Sequence, residues 1–371
     1  MFTEFHTYKE IKQQPSVWKK AYGLIRARKE EISAFLGKYL QEGYEPILTG
    51  AGTSAYIGDA LSPALFKTPL RDARALATTD ILTNPTLYFD STSKVLLISF
   101  ARSGNSPESV ATVKAVEKTA GKVAHIFITC NEKGELALMK GDNILTILLP
   151  PETNDLSLAM TSSYSTMMLA CSLIANIHQI EAQEKWVDAL SDSVEKAMEQ
   201  YEGAIRDIAQ RDFKRAVFLG SGPLKGLAEE SRLKLQELTD GTVMCAFDSF
   251  MGFRHGPKAV VNSETVMVYL ISPNPDVRRY EMDLIRQVKS NNNLVASIAV
   301  GHGKLDLGDL CDLCVEIDLP AAIPPCYGCV SFIFTAQLLG MFKSINLGLC
   351  PDTPSVSGNI SRVVEGVTVY N

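Results

Sequence analysis

The feature that most restricts this chain is a strand-to-glycine-loop pattern that occurs twice. Pro46-Ile47-Leu48-Thr49 is a short apolar run entering Gly50-Ala51-Gly52-Thr53-Ser54, and Ala216-Val217-Phe218-Leu219 enters Gly220-Ser221-Gly222 in the same way. Gly50 and Gly220 lie 170 positions apart. The next apolar runs, 94–99 and 266–271, keep nearly that offset, with 173 positions between Ser99 and Ser272. Runs at 123–129, 143–149 and 293–300 extend the pattern. Apolar runs alternating with helix-forming segments predict parallel strands covered on both faces. The chain is therefore read as α/β: two tandem units, each a parallel sheet flanked by helices. The expected boundaries are an N-terminal helical segment over 1–40, a first unit over 41–195, a second over 210–345 and a tail over 346–371. The charged stretch 195–212 is read as a helical link.

With 371 residues, two or three units are the prior from length, and 46% apolar residues suffice for a substantial core in each. The net charge of −6 argues against nucleic acid as the main partner, because phosphate backbones select basic surfaces. The N-terminus lacks a basic patch followed by an apolar run, so no signal peptide is expected. No uncharged apolar stretch is expected to span a membrane. The expected location is the cytoplasm, where thiols stay reduced. Two C-x-x-C pairs, Cys311/Cys314 and Cys326/Cys329, have a spacing that zinc also uses. One pair runs into the alternating Val315–Leu319 and the other into apolar 330–334, so these cysteines are read as small buried hydrophobes, with no metal expected.

Trp18, Tyr22, Ile25, Ile32 and Leu36 recur at helical spacing over 8–40, with Pro15 placed in a first helical turn. Gly50–Ala55 fits a dinucleotide fingerprint superficially. That reading is weak: Asp72, the candidate ribose-binding acid, lies in a polar Arg71–Arg74 run rather than at a strand end. The second loop is more informative. Arg102-Ser103-Gly104-Asn105-Ser106 lies between a buried strand and a helix, where N–H groups of the helix start favour an anion. Ser103 and Ser106 add hydroxyls, and Arg102 adds charge. Thr53 and Ser54 sit on the neighbouring strand-to-helix loop. Together they form a candidate phosphate cradle, although the same residue types also serve as plain helix caps. The second half has Ser272-Pro273-Asn274-Pro275 at the matching place, and proline removes the N–H donors an anion would use. One phosphate site per chain is expected, in the first half.

The second half offers Leu233-Lys234-Leu235-Gln236-Glu237 and Phe253-Arg254-His255-Gly256-Pro257-Lys258. Glu237 at a helix edge is a candidate general base, although a glutamate in such a place is more often just a solvated face. His255, in a Gly- and Pro-bearing loop, is a candidate proton carrier.

With these landmarks in chain order, the sequence resembles the double-SIS sugar isomerases, among them the isomerase domain of glucosamine-6-phosphate synthase. The stretches 99–109, 159–163 and 251–258 are most similar to the AgaS branch, described as galactosamine-6-phosphate deaminase/isomerase and formerly as tagatose-6-phosphate ketose/aldose isomerase. The resemblance implies phosphate contacts at Ser54, Ser103 and Ser106, an enediol-type base at Glu237, ring opening by His255, and sugar contacts at Thr161 and Ser162. It implies no cofactor, a phosphorylated amino sugar as substrate and a homo-oligomer, a dimer or dimer of dimers, with His255 completing the partner's site. Two departures stand out. No lysine follows Lys343, whereas glucosamine-6-phosphate synthase opens its sugar with a lysine in the tail. No glutamine-hydrolysing domain is expected either, which suits deamination over ammonia transfer. A plain aldose–ketose isomerase, a glucosamine-6-phosphate deaminase and a non-catalytic sugar-phosphate sensor are the alternatives.

Overall fold

The structure, a computed structural model, describes residues 2–291, 293–364 and 366–370. It divides into two compact units. The N-terminal sheet unit comprises Ser16–Asp155, Met160–Val187 and Ser361–Asn371, and the C-terminal sheet unit comprises Met1–Pro15, Leu156–Ala159 and Asp188–Ile360.

The N-terminal sheet contains β1 (Glu45–Thr49), β2 (Arg74–Ala75), β3 (Lys94–Ala101), β4 (Lys122–Thr129) and β5 (Ile144–Leu148) in the order β2-β1-β3-β4-β5. All pairings are parallel, with Thr49 opposite Ser99 and Ala101 opposite Thr129. The C-terminal sheet contains β6 (Arg215–Gly220), β7 (Met244–Asp248), β8 (Thr265–Leu270), β9 (Ala296–His302) and β10 (Leu313–Ile317), again all parallel. Its order β10-β9-β8-β6-β7 is the same permutation read from the other edge. In both sheets the order reverses once, between β1 and β3 and between β6 and β8. In open parallel sheets, ligands bind at the strand C-termini beside that reversal.

The central strands are continuous apolar runs because helices cover both their faces. Seven of the eight residues of β3 are buried. Ile47, Val95, Leu97 and Phe127 meet Val110 and Val113 from the Pro107–Thr119 helix in one core. Val217, Met267 and Tyr269 meet Phe250, Phe253, Leu284 and Ile285 in the other.

Several expectations are corrected. The 8–40 helix is two helices, His6–Ala27 and Lys29–Gln41, separated at Arg28. Pro15 lies inside the first of them, not in its opening turn. A proline there leaves the carbonyl of Ile11 without its helical donor, and the Gln14 amide donates to that carbonyl at 2.9 Å. A run long and apolar enough to cross a membrane does exist, Pro325–Asn346, but 94% of its 18-residue apolar window is buried inside the structure, as a core helix requires. Asp72 is exposed and precedes β2, so it lies off the strand C-termini where a ribose would bind, and the dinucleotide reading has no acid to rest on. β2 and β7 were not foreseen.

Candidate functional site

The loops after β1 and β3 flank the reversal point of the N-terminal sheet. Gly50 cannot carry a side chain, because a Cβ there would lie 2.5 Å from the Ser54 backbone. Thr53 and Ser54 begin the Thr53–Ala64 helix and are both buried. After β3 the chain passes through Arg102 and turns at Gly104, whose φ of 66° is a conformation that side-chain-bearing residues resist. Ser106 precedes the Pro107–Thr119 helix, and its hydroxyl bonds that of Ser109 at 2.6 Å.

The turn is braced from the loop after β4. The Asn131 amide donates to the Ser103 carbonyl at 2.8 Å, and Leu136 N–H donates to the Gly104 carbonyl at 3.2 Å. Asn105 Oδ1 accepts from Glu135 N–H at 2.9 Å. Ser103 Oγ accepts from Asn105 N–H at 3.2 Å. Ser103 and Ser106 are half-buried, which leaves a rigid, hydroxyl-bearing turn open at its surface. Arg102 is buried, and its guanidinium donates to the carbonyl of Arg362.

Thr161 and Ser162 start the Ser162–Ala175 helix and are fully buried. Their surroundings centre on Asp155, which is also buried. Its carboxylate accepts from Thr161 N–H at 2.8 Å, Ser163 N–H at 3.0 Å and the hydroxyls of Ser162 and Ser163, both at 2.5 Å. Asp155 thus satisfies the helix-start donors in place of a conventional N-cap. The Ser162 hydroxyl proton is committed to it.

In the C-terminal unit, Glu237 lies in the last turn of the Pro223–Leu238 helix. It is not a freely solvated side chain: Lys234 Nζ donates to its carboxylate at 2.7 Å. Lys234 is fully buried and also pairs with buried Glu230 at 3.3 Å. Burial alone would lower the ammonium's pKa, but Glu230 and Glu237 outweigh it and the pKa is raised. Positions 230, 234 and 237 fall on one helix face, so a buried lysine fixes the Glu237 carboxylate in direction. His255 is exposed on the loop after the short Phe250–Phe253 helix. Phe250 and Phe253 are completely buried and anchor that loop, while Gly256 turns it with φ 123°. Arg254 donates to Gln287 at 3.1 Å.

The cysteine pairs are buried or half-buried in the same unit. Burial pushes the Cys311 thiol up to about 12 and also raises Cys314 and Cys329. Among the described residues no group of three His, Cys, Asp or Glu side chains is placed to hold a metal ion.

The SIS domain model matches this chain twice, over residues 45–177 and 211–341, one match on each sheet. The chain belongs to the SIS domain family. D-galactosamine-6-phosphate deaminase AgaS of Escherichia coli is 37% identical over 98% of this chain and 95% of its own length. The protein of the same name from Shewanella sp. (strain ANA-3) is 39% identical over 99% of this chain and 92% of its own length. The crystal structure of tagatose-6-phosphate ketose/aldose isomerase from Escherichia coli superposes with a TM-score of 0.89 at 35% identity, covering 100% of this chain and 97% of that one.

Within the first SIS unit, Thr53, Ser54, Arg102, Ser103 and Ser106 all lie on the two loops beside the sheet's reversal point. In the second, Glu237 and His255 occupy a helix end and a loop. Sequence reasoning missed Asn131, Asp155, Lys234 as a buried charge, and Arg362. Lys234 had a readable signal: carboxylates at i−4 and i+3 around a lysine on an otherwise apolar helix face. Asp155 and Asn131 had none, since their partners are set by loop geometry.

Proposed function

We propose that this SIS protein is a deaminating isomerase that converts galactosamine 6-phosphate to tagatose 6-phosphate and ammonia. The observation that carries the reading is identity of 37–39% over nearly the whole chain to proteins named for that deaminase. The loop 102–106, with Thr53 and Ser54, takes the phosphate: hydroxyls and helix-start N–H groups suit a dianion. His255 transfers the ring-opening proton. Glu237, aimed by Lys234, removes the C2 proton and returns it to C1, so the 2-amino aldose becomes a 2-imino sugar. Water adds to the imine carbon and ammonia leaves, giving the ketose. Every step is a proton transfer or a hydrolysis, which requires neither a redox cofactor nor a metal, and each acid–base group contributes about 10²–10⁴-fold. Thr161 and Ser162 contribute to the sugar side, with the Ser162 oxygen acting as acceptor because its proton serves Asp155. The acidic chain acts in the cytoplasm as a homodimer or dimer of dimers, with His255 completing the partner's site.

A second reading, ketose/aldose isomerisation of tagatose 6-phosphate without amine loss, is favoured by the name of the E. coli structure. Ammonia release separates the two. The deaminase reading expects stoichiometric ammonia from galactosamine 6-phosphate and slower release from glucosamine 6-phosphate. Interconversion of tagatose 6-phosphate with its aldose, and no ammonia from either amino sugar, would replace it with the second.

A further inference from the structure

We propose that Arg362 is a positioning residue that latches the tail of the chain onto the phosphate loop of the first SIS unit. The inference rests on the reading of Ser103–Ser106 as that loop. Arg102 stands at the loop's mouth with its side chain buried, and its guanidinium donates to the backbone carbonyl of Arg362 at 2.5 Å. That carbonyl is held in turn by the residue's own side chain. Arg362 Nε donates to the Asp155 carbonyl at 2.9 Å, and an Nη donates to Asn154 Oδ1 at 2.9 Å and to the Asp155 carbonyl. Asp155 is the residue whose buried carboxylate fixes the start of the Ser162–Ala175 helix. The relay therefore runs from a rigid helix start, through Arg362, to the cation beside the loop.

Three features make this a device rather than a chance contact. Arg362 is the only basic residue after Lys343. From Val356 onward, 356–361, Val364, 366–368 and Tyr370 are exposed, whereas Arg362, Val363 and Val369 are half-buried, so the one cation of that stretch sits at one of its two half-buried places. The acceptors Arg362 uses are carbonyl and amide oxygens, which orient a guanidinium without cancelling its charge.

An arginine that must find its rotamer when the anion arrives loses part of the binding energy to ordering; one already held does not. Arg362 acts through Arg102 and touches no reacting atom. By linkage, anion binding at the loop and docking of the tail strengthen each other equally.

The test titrates inorganic phosphate into the full-length protein by calorimetry and follows KM and kcat with the sugar phosphate. Arg362→Ala is expected to weaken phosphate binding and raise KM about tenfold, the scale of one charge-assisted hydrogen bond. Arg362→Lys, which keeps the charge but reaches one acceptor at a time, is expected to fall between the two. In the wild type, phosphate slows proteolytic cleavage of the tail; in Ser103→Ala with Ser106→Ala it does not. Wild-type phosphate affinity in Arg362→Ala, with affinity lost in the double serine variant, overturns the latch alone. Wild-type affinity in both overturns the phosphate-loop reading and the latch with it. A chain ended after Ile360 provides the same comparison should Arg362→Ala unfold.

Discussion

The two SIS units share a scaffold and differ in what occupies the strand ends. Strand order is the same in both, and so is the backbone at the first turn: Gly52 has φ 54° and ψ −127°, Gly222 has φ 58° and ψ −126°. The helix after the third strand in chain order begins with proline in each, Pro107 and Pro275. The loops ahead of those prolines diverge. In the first unit, Ser103 to Ser106 present hydroxyls at a half-buried surface. In the second, the matching Ser272 N–H donates at 2.9 Å to the carboxylate of Glu281, a fully buried residue of the following helix. Burial raises the Glu281 pKa, with Ser221, the Ser272 N–H and Arg278 pulling the other way. Those are the groups an anion cradle would use, and the protein's own carboxylate takes them. Duplication supplies two geometrically equivalent strand ends; under the proposed function one serves as an open anion loop, while the other is closed by the Glu281 side chain and its unit contributes a helix end and a loop instead.

The strongest way to break this division of labour is to inactivate the second unit. Glu237→Gln and His255→Ala are each expected to cut kcat by about 10²–10⁴-fold. Mixed under subunit exchange, the two inactive proteins should regain activity in the hybrid dimer. Exchange verified by mass without recovery would mean that both residues serve one chain's own site. Next in size is the loop of the first unit. Ser103→Ala with Ser106→Ala should raise KM with losses of about 1–3 kcal/mol per hydrogen bond to the charged group, and steady-state kinetics at fixed pH reads this directly. An unchanged KM would mean the phosphate binds elsewhere.

The filled cradle of the second unit is probed by Glu281→Ala. That change leaves the buried Ser272 N–H without its acceptor, at an expected cost of about 1–3 kcal/mol in urea unfolding. The corresponding substitution in the first unit, at Val113, removes only apolar packing. No loss at Glu281 would mean that the carboxylate is incidental to the second loop.

The smallest effect is a pH dependence specific to the second unit. His302 at the end of β9 is held neutral by burial, its pKa lowered to about 4, and its Nε2 pairs with the Ser331 hydroxyl at 2.9 Å. The unfolded histidine takes up a proton near pH 6.5 and the folded one does not until about pH 4. The stability it contributes is therefore complete above pH 6.5 and falls as the pH drops through that window. Between pH 7.5 and 5.5 the loss from this residue is about 1.4 kcal/mol. Urea midpoints of the wild type and His302→Asn at the two pH values check it: the variant's pH slope should be shallower by that amount.

Much of the fold was legible without coordinates. β1, β3, β4, β5, β6, β8 and β9 were foreseen because strands of a covered parallel sheet are apolar runs that stand out from the helices between them. The tandem repeat came from their spacing, and the two hydroxyl-bearing loops from the serines, threonines and glycines directly after β1 and β3. β2 and β7 escaped for the converse reason. β2 is two residues long in a polar segment, and β7, Met244–Asp248, is a half-exposed edge strand without a continuous apolar signature. The environment of Glu237 was misjudged as well: a glutamate at a helix edge is usually solvated, and only the packing around Lys234 shows a buried cation turning the carboxylate.

Hydrophobic periodicity and glycine placement are local properties, so the strands, their duplication and the chemical character of the loops could be read from the chain alone. Three-dimensional packing was needed to decide which polar groups are spent internally. Asp155 is consumed by a helix start, Glu281 by the second loop and Arg362 by the Asp155 carbonyl and the Asn154 side chain. The first two pairings join residues 6 and 9 positions apart, and the third spans 207. They arise from the requirement that a buried polar group find a partner, and which partner it finds depends on what the fold brings within hydrogen-bond distance.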